Sequence, residues 1–174
     1  LFKNKSILVA GYLQTKNFGD WINNYLIEVI SGKKIVDYDA LLFQKNKKHL
    51  LAIGSIVHRA NQDSVIWGSG LIKSDIKLKN APAKICSVRG PKTRQLLLNQ
   101  EIECPKVCGD PALLLPKYYT PKIPKVKTYK YGIIPHYVDK EFASKLCANL
   151  DGSSIILNIE CGNKWREFID QMHL

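Results

Sequence analysis

The chain has 174 residues, 45% of them hydrophobic, with five cysteines and a formal charge of +11. That apolar content supports a packed core and excludes an intrinsically disordered chain. No run nears the roughly 20 apolar residues of a membrane span, and no apolar stretch with a small-residue cleavage site marks a secretory signal, so a cytoplasmic setting is expected.

The excess of cations points to anionic partners in general: nucleic acid, anionic lipid, phosphorylated metabolites or acidic glycans. Its lysines are spread over residues 44–48, 73–84 and 117–130, without the aromatic interleaving of a single-strand binder or an RNA-binding motif. No nucleic-acid partner is therefore expected. The cysteines (Cys86, Cys104, Cys108, Cys147, Cys161) are odd in number and scattered, which suits a reducing compartment better than a disulfide framework. Cys104 and Cys108 form the one close pair and lack a second ligand pair, so no metal is expected.

In chain order, residues 1–5 read as a surface lead-in and SILVAGY (6–12) as a first strand. The turn NFGD (17–20) follows, with Asp20 placed to cap a helix over 21–31 whose apolar Ile22, Leu26, Val29 and Ile30 recur at helical spacing. Gly32 closes that helix and two lysines complement its negative end. Five short apolar runs then read as strands: 34–39, 49–55, 64–70, 83–90 and 105–112. Between the last two, PKTRQLLLNQ reads as a helix with Pro91 in its first turn. Strands ending in glycine-rich loops, with helices between them, predict an open parallel α/β sheet.

Residues 116–130, with three prolines, five lysines and no acid, read as a linker after a first domain over 1–115. GIIPHYVD (132–139) then begins the pattern again: strand YGIIPHY, helix DKEFASKLCANL opened by Asp139, strand SSIILNIE, helix KWREFIDQM. Residues 131–174 thus read as the beginning of a second α/β domain, and the chain as a fragment of a larger protein.

Ligands of open α/β sheets bind at the carboxyl ends of the strands. Asn17, Gly19 and Asp20 join a strand to a helix N-terminus, where backbone N–H groups can receive an anion; a turn made by Gly19 and a cap by Asp20 are the commoner explanation of such a segment. Gly54 and Ser55 in AIGS, and Gly68, Ser69 and Gly70 in WGSG, let a ligand approach the backbone or a helix pack closely. Neither segment is a dinucleotide or P-loop fingerprint. Arg89 follows a strand and can meet a carboxylate or phosphate across the strand ends, or pair with Asp110, itself placed to orient a tight turn or accept from a sugar hydroxyl. His136, beside Pro135 at a strand end, is the candidate proton carrier. No nucleophilic triad, paired-carboxylate motif or HExxH site is present.

Together NFGDWINNYLIEVISGKK, LAIGSI, VIWGSG, SVRGPKTRQLLL, ECPKVCGDPALLLP and GIIPHYVDK resemble the polysaccharide pyruvyl transferase family, in an order and spacing that cover most of residues 6–140. The resemblance implies two Rossmann-like domains facing across a cleft, a GT-B-like arrangement, with GIIPHYVD at the start of the second. It implies transfer of the enolpyruvyl unit of phosphoenolpyruvate to a saccharide, free or lipid-linked at the inner membrane face, usually as a cyclic pyruvate ketal with release of phosphate. On that reading phosphoenolpyruvate is a donor substrate and no cofactor is used. Arg89 would stabilise charge, Asn17, Asp20 and Asp110 would contact acceptor hydroxyls, and His136 would carry a proton. The family's serine-rich segment with a histidine is not matched by His173, so these 174 residues alone are expected to be inactive. A nucleotide-sugar glycosyltransferase of the same shape and a non-enzymatic basic module for glycan or nucleic acid are the alternatives.

Overall fold

A computed structural model describes residues 6–12, 15–41 and 47–174; the lead-in at 1–5 and part of the lysine run at 44–48 fall outside the described residues. Among the described residues, seven strands form two parallel sheets. The first comprises β1 (Ser6–Val9), β2 (Lys34–Asp37), β3 (His49–Leu51), β4 (Ser64–Trp67) and β5 (Lys84–Ser87), in the order β2-β1-β3-β4-β5. It is flanked by α1 (Phe18–Ser31) and α2 (Pro91–Leu98). The open parallel α/β sheet expected from the apolar runs is thus present.

Its core follows from strand alternation. Leu50 pairs with Val65 and Leu51 with Ile66, so successive residues of β3 and β4 point to opposite faces. Leu50 and Val65 join Ile7, Val9 and Ile27, while Leu51 and Ile66 join Val88 and Leu97. Both faces are covered, which is why these strands read as continuous apolar runs and not as alternating ones.

Helix α1 begins three residues earlier than its apolar spacing suggests. Asn17 is its cap, accepting from the Gly19 N–H at 2.9 Å, while Asp20 lies within the first turn and its carboxylate turns back to the Thr15 hydroxyl. Asp20 is therefore not the capping residue. Gly32, at φ +66°, ends the helix by donating to Glu28 O at 2.8 Å. Ile22, Leu26 and Ile27 are buried, but Val29 and Ile30 are exposed in the last turn, which stands clear of the core.

Residues 105–112 do not form a strand. Cys108 makes a single parallel bridge to Val88. Pro105 and Pro111 bring no N–H to a ladder, and Asp110 instead caps a 3-10 helix over Pro111–Lys117 by accepting from the Ala112 N–H at 3.0 Å.

The second sheet pairs β6 (Tyr131–Ile133) with β7 (Ser154–Ile156), alongside α3 (Lys140–Ala148) and α4 (Trp165–Gln171). Strand β6 stops before Pro135, and a 3-10 turn over Tyr137–Asp139 leads into α3; Asp139 occupies the cap position but makes no side-chain cap bond. Residues 118–130 run without helix or strand. They are tied down at both ends: Tyr119 Oη and the Lys122 N–H donate to Asp170 Oδ1 at 2.6 and 2.9 Å, and the Thr128 N–H donates to Leu174 O at 2.6 Å. The bond to the Asp170 carboxylate, with some burial, pushes the Tyr119 phenol up to about 12.

The two sheets meet through α1. Trp165 of α4 packs with Ile22 and Leu26, Phe168 lies against Phe18 with ring centroids 5.0 Å apart, and the Trp165 ring sits 4.7 Å from Tyr25 and 5.1 Å from Tyr119. Arg166 covers this aromatic group, 4.2 Å from the Trp165 ring. No described helix is long and apolar enough to cross a membrane.

Candidate active site

The loop between β1 and α1 lies against the loop after β7. The Phe18 N–H donates to Ile159 O and the Gly162 N–H to Lys16 O, each at 2.8 Å. Beside this seam a cleft of about 440 Å³ opens, lined by Thr15, Lys16, Asn17 and Asp20 from the first unit and by Ile134, Pro135, His136, Ile159 and Glu160 from the second. All of these residues follow the carboxyl ends of β1, β6 and β7, where open α/β folds place their ligands.

Three of the residues singled out in the sequence meet here. Asn17 lies at the α1 cap, Asp20 one turn in, and the exposed His136 at the end of the loop after β6, where its backbone carbonyl accepts from the Asp139 N–H at 2.9 Å. Gly19 stands between the first two and keeps the turn open: a Cβ there would lie 3.3 Å from Asn17 Oδ1. Half-burial raises the Asp20 carboxyl above the ordinary carboxylate value, only partly offset by the Thr15 hydroxyl, which donates to Oδ2 at 2.5 Å. The meeting of a carboxyl raised by burial, a hydroxyl and an imidazole along one cleft is its chemically capable part.

The remaining candidates gather at the carboxyl ends of β3, β4 and β5. Ser69 is fully buried, donating to Gly54 O at 2.9 Å and receiving the Ile56 N–H at 3.3 Å. Gly70 donates to the same Gly54 carbonyl at 2.9 Å, so AIGS and WGSG are stitched to each other. Ser55 is half-buried, and its carbonyl lies 3.2 Å from His58 Nδ1. At Gly68, φ +82°, a Cβ would overlap Pro111 Cδ, so this glycine admits the loop carrying Asp110. The exposed Arg89 packs its guanidinium over Gly70, where a Cβ would lie 2.9 Å from Arg89 Nε; among the described residues it makes no ion pair with Asp110. Asp110 borders a smaller recess of about 280 Å³ with Trp67, Ser87 and Cys108.

Sequence reading missed Thr15, Lys16 and Glu160. Only Thr15 left a trace, a hydroxyl five positions before a carboxylate across a turn; Glu160 reaches the cleft through the contact between the two units. A larger cavity, about 770 Å³ beside Lys84, Glu101, Glu103 and Cys104, lies at the amino end of β5 and the far end of α2, away from the strand ends that carry these groups. All five cysteines are free thiols, and among the described residues no three His, Cys, Asp or Glu side chains are grouped to hold a metal.

Among known proteins, an uncharacterized protein of Acanthamoeba polyphaga mimivirus is 31% identical over 144 residues. The match covers 82% of this chain and 49% of the viral protein, so the chain spans about half the length of this curated relative. No solved structure matches the chain. Residues 7–163, which include both sheets apart from Ser6 and every residue of the cleft, match the family model for polysaccharide pyruvyl transferase, and the chain belongs to that family.

Proposed function

We propose that the protein of which this chain is part moves the enolpyruvyl unit of phosphoenolpyruvate onto hydroxyls of a sugar in a surface polysaccharide or its lipid-linked precursor. The observation that carries the reading is the cleft itself, where Asp20 and His136 come from two separate βα units and line one space. Membership of the family adds a saccharide acceptor and a transferase activity.

The chemistry asks for an acid at the donor's methylene carbon, a base for the incoming hydroxyl and cations for the donor's charges. A proton delivered to the methylene makes the adjacent carbon electrophilic, the sugar oxygen bonds to it and loses its proton, and the bond to phosphate breaks. A second hydroxyl adds at the same carbon and gives up its proton, which the departing phosphate can take, and the ketal is closed. In this scheme Asp20, whose burial favours the protonated carboxyl, is the acid, His136 carries the proton from the sugar, and Asn17 orients the acceptor. Arg89, at the end of β5, is the candidate for charge stabilisation from the first sheet, with Asp110 beyond it.

Phosphate release from phosphoenolpyruvate, measured with the full-length protein against a panel of hexose acceptors and with the 174-residue chain in parallel, tests this. Acceptor-dependent release by the full-length protein is expected. No release with any acceptor, together with tighter binding of a nucleotide-sugar than of phosphoenolpyruvate, would replace the reading with glycosyl transfer.

A further inference from the structure

The donor proposed above carries a carboxylate and a phosphate, yet Arg89 packs over Gly70 and is not among the residues lining the cleft. The cleft has cations of its own. Lys16 lines it on the side of the first unit, and Lys140, the first residue of α3, reaches its rim from the second through an ion pair, Nζ to Glu160 Oε2 at 2.7 Å. Glu160 also lines the cleft and feels both: the hydrogen bond from Lys140 chiefly, then the charges of Lys140 and Lys16, hold its carboxyl below the ordinary carboxylate range. One carboxylate thus pairs with Lys140 and shares the cleft with Lys16, two ammonium groups brought by different parts of the chain.

The backbone here is fixed while the side chain is not. Glu160 donates its N–H to Asn158 Oδ1 at 3.0 Å, and its neighbours are held by the Phe18 bond to Ile159 and the Gly162 bond to Lys16. The side chains of Lys140 and Glu160 are 58% and 44% exposed, and an ion pair so solvated is worth little, so an anion that bonds both lysines can take the place of the carboxylate. Phosphate, with three acceptor oxygens and up to two charges, suits a pair of ammonium groups better than a single carboxylate does.

We propose that Lys16 and Lys140 hold the phosphate group of the substrate, and that Glu160 stands in that position as an internal anion until phosphate displaces it. The inference rests on the cleft being the donor site. It also gives Glu160 a role in specificity: a dianionic phosphate monoester displaces it, whereas a singly charged acid such as pyruvate competes poorly.

Calorimetric titration of the 174-residue chain with inorganic phosphate tests this directly, the three side chains being exposed enough for substitution without loss of fold. Glu160→Gln is expected to tighten phosphate binding about fivefold, and Lys16→Met and Lys140→Met each to weaken it by a similar factor. Tightening must disappear when Glu160→Gln is combined with Lys140→Met. Phosphate affinity unchanged by either lysine substitution, or weakened by Glu160→Gln, would overturn the inference. Phosphoenolpyruvate titrated alongside separates it from the proposed reaction. If phosphate follows the expected pattern but phosphoenolpyruvate binds no tighter than phosphate, the anion site stands and the enolpyruvyl reading falls. If phosphoenolpyruvate binds tightly in both lysine variants, the anion site falls and the reaction stands.

Discussion

The backbone N–H of Phe18, at the first residue of α1, donates to the carbonyl of Ile159, just beyond β7, at 2.8 Å. This bond joins the N-terminus of a helix from the first unit to a loop of the second. The first N–H groups of a helix have no partner within it, so the start of α1 supplies a donor that the second unit uses. The cleft lies directly beside the seam so formed.

Trp165 supports that seam from beneath. It is 3% exposed and packs among Ile22, Leu26 and Ile53, with Tyr25 and Tyr119 at its ring. Trp165→Ala is expected to destabilise the chain by about 3–5 kcal/mol, the usual range for removing a buried aromatic side chain. Urea unfolding followed by circular dichroism measures it; a loss below about 1 kcal/mol would mean that the two units do not depend on this contact.

Asp20 is placed for chemistry at some expense to the fold. Burial raises its carboxyl above 3.8, so the folded chain binds this proton more tightly than the unfolded chain does. Its contribution to stability is complete below 3.8 and is lost as the pH rises through the folded value. Asp20→Asn, which keeps an oxygen for the Thr15 hydroxyl, should leave the chain at least as stable at pH 7. It should also lower acceptor-dependent phosphate release by the full-length protein about 100-fold or more. Thermal melts and release assays on the same variant are sufficient, and a destabilised but fully active variant would contradict both expectations.

His49 sets an acid limit on stability. Its ring is fully buried, stacked on Tyr38 at 3.7 Å, with Nδ1 3.0 Å from Lys47 O and Nε2 2.8 Å from Ser64 Oγ. The carbonyl requires the proton on Nδ1, and the serine hydroxyl can donate to Nε2, so the neutral ring satisfies both nitrogens. Burial accordingly lowers its value from 6.5. As the pH falls below 6.5 the unfolded chain takes up a proton that the folded chain refuses, and stability declines. Urea midpoints between pH 8 and pH 5 should drop more steeply for the native chain than for His49→Gln. Ser64→Ala should remove about 1–3 kcal/mol at pH 7 by leaving Nε2 unpaired.

Gly68 is required where its φ is +82° and where a Cβ would overlap Pro111 Cδ and lie 2.6 Å from Gly109 O. Gly68→Ala is expected to cost about 2–4 kcal/mol from left-handed backbone strain and overpacking together. Gly90, extended at φ −167° with open space where a Cβ would stand, provides the control: Gly90→Ala should change stability by about 0.5 kcal/mol or less. Denaturant titration of the two variants side by side decides whether WGSG is a packing device, and equal effects would show that it is not.

Periodicity and turn chemistry along the chain determined the local structure of this protein. Unbroken apolar runs such as SVIW can be satisfied only by a strand covered on both faces, and Gly32 ends α1 because the left-handed geometry there suits a residue without a side chain. Asn17, Asp20 and His136 stood out in the sequence beside a glycine turn and a proline at strand ends, and the fold brings all three to one cleft. Where α1 begins was decided by a competition that spacing does not encode: Asn17 and Asp20 can both cap, and the Thr15 hydroxyl engages Asp20 and leaves the cap to Asn17. Residues 105–112 have strand composition, but Pro105 and Pro111 leave too few donors for a ladder, and pairing is a property of two segments together. Lys16, Lys140 and Glu160 carry no motif at all. Their meeting depends on the seam between the first and second units, a contact between residues far apart in the chain that only the packed tertiary structure brings about.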